Sequence, residues 1–141
     1  MNKNIYRIID ANINRLNESL RVIEDIGRFV YNNKKIVKIA KEMRHYIKVI
    51  IKKEGLYKLL LNARDVKTDN SKYINLNEEF SRNSFDDILI ANIKRIQESC
   101  RVLEEVSKLL NENISKSFKK VRFKAYLIEK KISKILKLEN I

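Results

Sequence analysis

Apolar residues in the first thirty positions step by three and four: Ile5, Ile9, Ile13, Leu16, Leu20, Ile23 and Val30. A stripe of this kind marks an amphipathic helix with one buried face. It predicts a helix from about Asn4 to Tyr31, its rhythm stretched only at Gly27, with Asn32-Asn33 as the break. Val37, Ala40, Met43, Ile47 and Ile50/Ile51 carry the spacing into a second helix that ends near Lys53, where Gly55 can cap it. A short helix from Leu56 to about Asn62 follows. Residues 64–83, RDVKTDNSKYINLNEEFSRN, lose the periodicity and read as an ordered loop or irregular insert. Ser84, with Asp87 three residues on, imitates a capping box and starts a third long helix to about Asn111. Ser115 or Ser117 is the expected cap of the last helix, which runs to about Leu136. The fold class is all-α: a bundle of about four long helices plus a short one.

The pattern repeats. Residues 11–24 read ANINRLNESLRVIE and residues 91–104 read ANIKRIQESCRVLE. At a constant offset of 80 the identities are Ala11/Ala91, Asn12/Asn92, Ile13/Ile93, Arg15/Arg95, Glu18/Glu98, Ser19/Ser99, Arg21/Arg101, Val22/Val102 and Glu24/Glu104. The same offset sets Met43 against Phe123, Arg44 against Lys124, Tyr46 against Tyr126 and Ile47 against Leu127. The chain therefore reads as one helical domain, 1–141, made of a duplicated helix-helix unit: repeat 1 over about 4–53, an insert over about 56–83, and repeat 2 over about 84–137.

On a helical wheel at about 100° per residue, Asn12, Arg15, Glu18, Arg21 and Asp25 form one polar strip beside the apolar stripe. Arg15/Glu18, Glu18/Arg21 and Arg21/Asp25 have ion-pair spacing, but each such pair is worth only about 0.2–0.5 kcal/mol. That is weak reason to keep the same polar residues in two halves that differ elsewhere. A shared interaction role is better motivated. The expected product is a pseudo-twofold pocket lined by Asn12, Arg15, Glu18, Asn92, Arg95 and Glu98. Asn and Glu can read the edge of a polar heterocycle, and Arg can clamp a phosphate through two parallel N–H donors. In the insert, Asp65 and Asp69 lie four apart beside Arg64 and Lys67. Such a grouping suits magnesium that borrows phosphate oxygens, although Asp/Asn turns look alike. His45, beside Arg44, reads more readily as a packed or hydrogen-bonded residue than as a catalyst. Cys100 aligns with Leu20 on the apolar stripe and belongs to the core.

Composition narrows the classes. There are two glycines and no proline in 141 residues, which nearly excludes an all-β fold and excludes a Gly-rich phosphate loop. One cysteine and one histidine exclude an internal disulfide, a Cys-based zinc site and a His-pair metal site. MNKNIYRIID does not look like a signal peptide, and no long apolar run suggests a membrane span, so a cytoplasmic protein without a membrane partner is expected. The net charge of +13 admits nucleic acid, an anionic membrane or a phosphorylated small molecule, or simply solvated lysine faces. Tyr and Phe are not interleaved with basic residues, which counts against single-stranded nucleic acid. A charge excess centred on a pocket would favour a small phosphorylated ligand; a flat stripe would favour nucleic acid.

The pattern ANxxRxxESxRVxE in both halves, with ARDVKTD between them, resembles the small helical hydroxymethylpyrimidine phosphate kinases of thiamine biosynthesis. That domain also occurs fused N-terminal to thiamine phosphate synthase. The resemblance covers nearly the whole chain, whereas the synthase's own barrel is absent: the chain is too short and shows no βα alternation. It implies ATP- and Mg²⁺-dependent phosphorylation of 4-amino-5-hydroxymethyl-2-methylpyrimidine phosphate to its diphosphate. The nucleophile would be a phosphate oxygen already ionised at neutral pH, so no strong general base is needed.

Within that activity, residue type assigns the roles. Arg64, Asp65 and Arg95 would act at the reacting phosphates. Asn12, Arg15, Glu18, Arg21, Arg44, His45, Arg82, Asn92, Glu98 and Arg101 would surround the substrates, with Arg15, Arg64, Arg82 and Arg95 holding phosphates. Asp65 and Asp69 would hold Mg²⁺. The second repeat departs from the first at Lys94 and Cys100, which stand where the first has Asn14 and Leu20. Two other readings remain: a non-catalytic accessory or partner of a separate thiamine phosphate synthase, and a basic nucleic-acid-binding module. Long bundles often pair exposed stripes, so a homodimer is also compatible.

Overall fold

The computed structural model describes residues 2–77 and 81–137. Its elements are α1 (Asn2–Phe29), α2 (Lys34–Lys53), α3 (Tyr57–Ala63), α4 (Phe85–Ser107) and α5 (Glu112–Leu136), with no strand among the described residues. The long stripes meet where the pattern placed them: Ile9, Leu16, Leu20 and Ile23 of α1 join Leu89, Ile93, Ile96 and Leu103 of α4 in one buried cluster. α1 and α4 make the largest helix-helix interface, and each carries its own partner, α2 on α1 and α5 on α4. α2 and α5 touch only lightly, and α3 rests on α1.

Local chemistry sets the boundaries. Asn33 caps α2 by accepting from the amides of Lys35 and Ile36, and Ser84 caps α4 by accepting from Asp87 N, while Asp87 accepts from Asn83 N. α5 starts earlier than expected. Asn111, not Ser115 or Ser117, is its cap, accepting from Ile114 N. Ser115 is instead buried and donates to the Glu104 carbonyl, which ties α5 to α4. That cap ends α4 at Ser107 rather than near Asn111. In α2 the buried residue is Ile36, with Val37 half-buried, and Val30 lies beyond α1, exposed.

These caps expose a slip in the repeat. Asn33 and Asn111 are 78 apart, and so are the buried sets Ile36, Ala40, Met43, Ile47 and Ile114, Phe118, Val121, Ala125. Both connections are four residues long, 30–33 and 108–111, but α4 ends two repeat positions sooner than α1, so the offset of 80 holds for α1/α4 only. Arg44 therefore corresponds to Arg122, not to Lys124.

Gly27 lies where α1 and α2 approach closely. A Cβ there would stand 2.6 Å from Ile36 Cγ2 and 3.0 Å from Ile36 Cβ, in a close α1–α2 crossing. Gly27→Ala is expected to destabilise the fold by about 1–3 kcal/mol through overpacking, measured by urea denaturation; an unchanged midpoint would show that α2 can move aside. Cys100 is buried, and burial pushes its thiol up to about 12, so it behaves as a core residue.

Candidate functional site

The first three residues of the polar strip, Asn12, Arg15 and Glu18, lie with their repeat mates at the α1–α4 seam and form the walls of a cleft of about 840 Å³, which Arg21 and Asp25 do not line. One wall carries Asn12, Arg15, Glu18, Ser19 and Val22 of α1; the other carries Asn92, Arg95, Glu98, Ser99 and Val102 of α4. These are five repeat pairs facing one space. The insert closes over them with Asp69, Ser71, Lys72, Ile74 and Asn75. No residue of α2 or α5 lines it.

The side chains in the cleft are set up alike in both halves. Asn12 Nδ2 donates to the Ile8 carbonyl at 2.9 Å, and Asn92 Nδ2 donates to the Ile88 carbonyl at 2.8 Å. Each amide is thereby pinned to its own helix, leaving an oxygen and a second N–H for a ligand. Arg15, Glu18, Arg95 and Glu98 are exposed, and among the described residues none makes a hydrogen bond or ion pair. Their i,i+3 spacing allows pairing, yet they remain open.

The neighbouring charges behave differently. Glu24 is buried and receives Arg44 Nη2 at 2.9 Å and Arg21 Nη1 at 3.0 Å. Its repeat mate Glu104 receives Arg122 Nε at 2.6 Å and Arg101 Nη1 at 3.5 Å. Arg21, Arg44 and Arg101 therefore brace the bundle outside the cleft. Burial pushes both glutamates up, but the hydrogen bonds and charges of Arg44 and Arg21, or of Arg122 and Arg101, outweigh it. Both carboxyls are held below their usual range. Because the folded values are depressed, the associated stability is complete above the unfolded Glu value of about 4.3 and is lost as pH falls through the lower folded values. Thermal melts should show Tm falling steeply below that point. The double variant Glu24→Gln/Glu104→Gln should flatten the slope; an equal slope would place the acid sensitivity elsewhere.

The insert is fastened to α1. Arg64 grips Asp10 with Nε and Nη2, both at 2.8 Å, and Arg7 donates to the Asp65 carbonyl at 3.2 Å. Asp65 accepts from Thr68 N at 3.0 Å and from Thr68 Oγ1, which makes it a turn-closing residue outside the cleft wall. Those Thr68 bonds hold its carboxyl below the usual range. Asp69 does reach the cleft. Arg82 donates to the adjacent Ser81 carbonyl, and His45 lies exposed on α2; neither lines the cleft. The cleft thus gathers Asn12, Arg15, Glu18, Asn92, Arg95, Glu98 and Asp69. It does not gather Arg21, Arg44, His45, Arg64, Asp65, Arg82 or Arg101. Among the described residues no three His, Cys, Asp or Glu side chains cluster as a metal cage.

Among the described residues the cleft is charge-balanced: Arg15, Arg95 and Lys72 face Glu18, Glu98 and Asp69. The chain's excess lies elsewhere. α2 and α5 carry eight lysines and arginines each against three glutamates in all, which equals the net +13 of the whole chain. No helix among the described residues is long and apolar enough to cross a membrane.

Comparison with known proteins adds the family. A sequence model described as the ThiD2 family matches residues 7–131. A thiamine-phosphate synthase of Prochlorococcus marinus (strain AS9601) is 37% identical over 142 residues, covering 94% of this chain and 39% of that protein. One from Nostoc punctiforme is 38% identical over 125 residues, covering 89% of this chain and 34% of that protein. One from Rhodopirellula baltica is 28% identical over 124 residues, covering 88% and 33%. The chain thus spans between 33% and 39% of the length of these relatives. No solved structure matches.

Proposed function

The chain belongs to the ThiD2 family, and from that premise we propose that it works in thiamine biosynthesis as a phosphotransferase. The substrate is 4-amino-5-hydroxymethyl-2-methylpyrimidine phosphate and the donor is ATP. The observation that carries this reading is the set of open groups in the cleft: Arg15, Glu18, Arg95 and Glu98, without partners among the described residues, beside Asn12 and Asn92 pinned to their helices. Stability alone would have paired those charges, as it pairs Glu24 and Glu104.

The chemistry needs few catalytic groups. An oxygen of the pyrimidine monophosphate attacks the γ-phosphorus of ATP. A new P–O bond forms, the bond to the ADP oxygen breaks, and the products are the diphosphate and ADP. The attacking phosphate is already largely dianionic at neutral pH, so no base has to remove a proton. Arg15 and Arg95, one from each wall, hold the phosphates in line and neutralise the charge that builds between them. Asn12, Glu18, Asn92 and Glu98 orient the heterocycles. Magnesium, when bound, supplies further neutralisation across the phosphates. Asp69 is the insert carboxylate on the cleft wall, and a single carboxylate fits an ion that completes its shell with phosphate and water.

Purified protein with ATP, Mg²⁺ and the pyrimidine monophosphate should release ADP in a coupled assay, and only when the monophosphate is present. Absence of ADP above the control from a folded sample contradicts the proposal. A second reading has its own support: the relatives are named for the synthase, and the chain matches only part of each. A non-catalytic companion of thiamine-phosphate synthase would bind these ligands without turnover.

A further inference from the structure

The two walls of the cleft carry the same residues in the same order, a feature that single-substrate recognition does not require. Asn12, Arg15 and Glu18 on α1 are matched by Asn92, Arg95 and Glu98 on α4. A volume of about 840 Å³ lies toward the upper end of small-molecule sites, roughly 300–1,000 Å³, so it can admit two small ligands. We infer that each wall is a half-site for the same molecular edge, a ring nitrogen next to an exocyclic amine, in a ligand that also carries phosphate.

The amide orientation supports this choice of edge. Because Nδ2 of Asn12 donates to Ile8 O, and Nδ2 of Asn92 to Ile88 O, neither amide can turn over without losing that bond. Each then presents a fixed acceptor, Oδ1, beside a fixed donor, the second N–H. That order matches an amine hydrogen and a ring nitrogen, as when Asn reads adenine. Glu18 or Glu98 accepts the amine's second hydrogen, and Arg15 or Arg95 takes the phosphate. An oxo group in place of the amine would set oxygen against Oδ1 and against the carboxylate. Leaving such groups unpaired or opposed is costly.

The inference rests on the proposed function for its biological meaning: a 4-aminopyrimidine phosphate and an adenine nucleotide share this edge, so one duplicated half-site serves both substrates. It also rationalises the cleft's charge balance, since each arginine is accompanied by the carboxylate that the amine needs.

The test uses equilibrium binding and no turnover. Isothermal titration calorimetry with AMP and with IMP compares two ligands that differ at this edge. AMP should bind the wild-type chain at two sites. IMP should bind at least about tenfold more weakly. Glu18→Ala and Glu98→Ala should each leave one AMP site; both residues are exposed and have no partner among the described residues, so the fold should tolerate the change. One AMP site in the wild type, IMP binding as tight as AMP, or no AMP binding at millimolar concentrations overturns the inference. Two-site AMP binding without kinase turnover would sink the kinase reading and leave the half-sites standing. Turnover with a single AMP site would do the reverse.

Discussion

Replacing Arg95 with alanine should lower kcat/KM for diphosphate formation by about a hundredfold or more, the usual cost of removing one preorganised charge-stabilising donor, while leaving the melting temperature nearly unchanged. The asymmetry follows from its surroundings. Arg95 lies on the cleft wall, is exposed, and makes no ion pair among the described residues, so the folded state loses little with it. A phosphoryl group in transfer would lose a charged donor that water cannot replace equally in a confined cleft. Arg95→Lys should recover only part of the rate, because an ammonium keeps the charge but not the planar two-donor fork. Steady-state kinetics with a parallel melt checks this. A full rate in Arg95→Ala would remove the cleft from the mechanism.

The second large effect is structural and uses residues that look the same in sequence. Arg44→Met and Arg122→Met should each destabilise the fold by about 3 kcal/mol, because a buried carboxylate then keeps its desolvation cost without its main partner. Arg44 and Arg122 are themselves largely covered, with 22% and 17% of their side chains exposed, over glutamates at 4% and 7%. For a chain of this size the loss corresponds to roughly 10 °C in Tm. Removing both partners, as in Glu24→Gln/Arg44→Met, should recover much of it. If the single variants melt like the wild type, Arg21 and Arg101 suffice to hold the buried charges.

These two outcomes show how far the sequence could be read. The offset of 80 marks Arg15/Arg95 and Arg21/Arg101 as equal, since all four repeat. What separates them is Glu24 and Glu104, which are buried one turn on and draw Arg21 and Arg101 away from the cleft. Burial of a glutamate is a tertiary fact, invisible to a helical wheel of one helix. The shift to an offset of 78 in α2/α5 hides the other partner: at an offset of 80 Arg44 falls against Lys124, two residues past Arg122. Ser19 and Ser99 were visible as repeated positions, but their place on the wall needed the α1–α4 crossing. The path of residues 69–75 over the cleft had no sequence signal at all. It depends on anchors such as Arg64 to Asp10, which are 54 residues apart.

Charge was the weakest guide. The +13 leaves a phosphorylated ligand, nucleic acid, an anionic membrane and solvated lysine faces open; among the described residues the cleft is balanced and the excess coats α2 and α5. By the criterion set from the sequence, that distribution does not argue for a pocket-centred ligand. The unpaired Arg and Glu side chains do.

On the proposed function, the γ-phosphoryl group of ATP passes to the pyrimidine monophosphate. ATP labelled with ¹⁸O on its γ-phosphate tests it most directly, with the products read by mass spectrometry. Label appearing in the pyrimidine diphosphate, dependent on the intact cleft, is the predicted result. Label remaining in ATP, or appearing only in inorganic phosphate, would rule the transfer out.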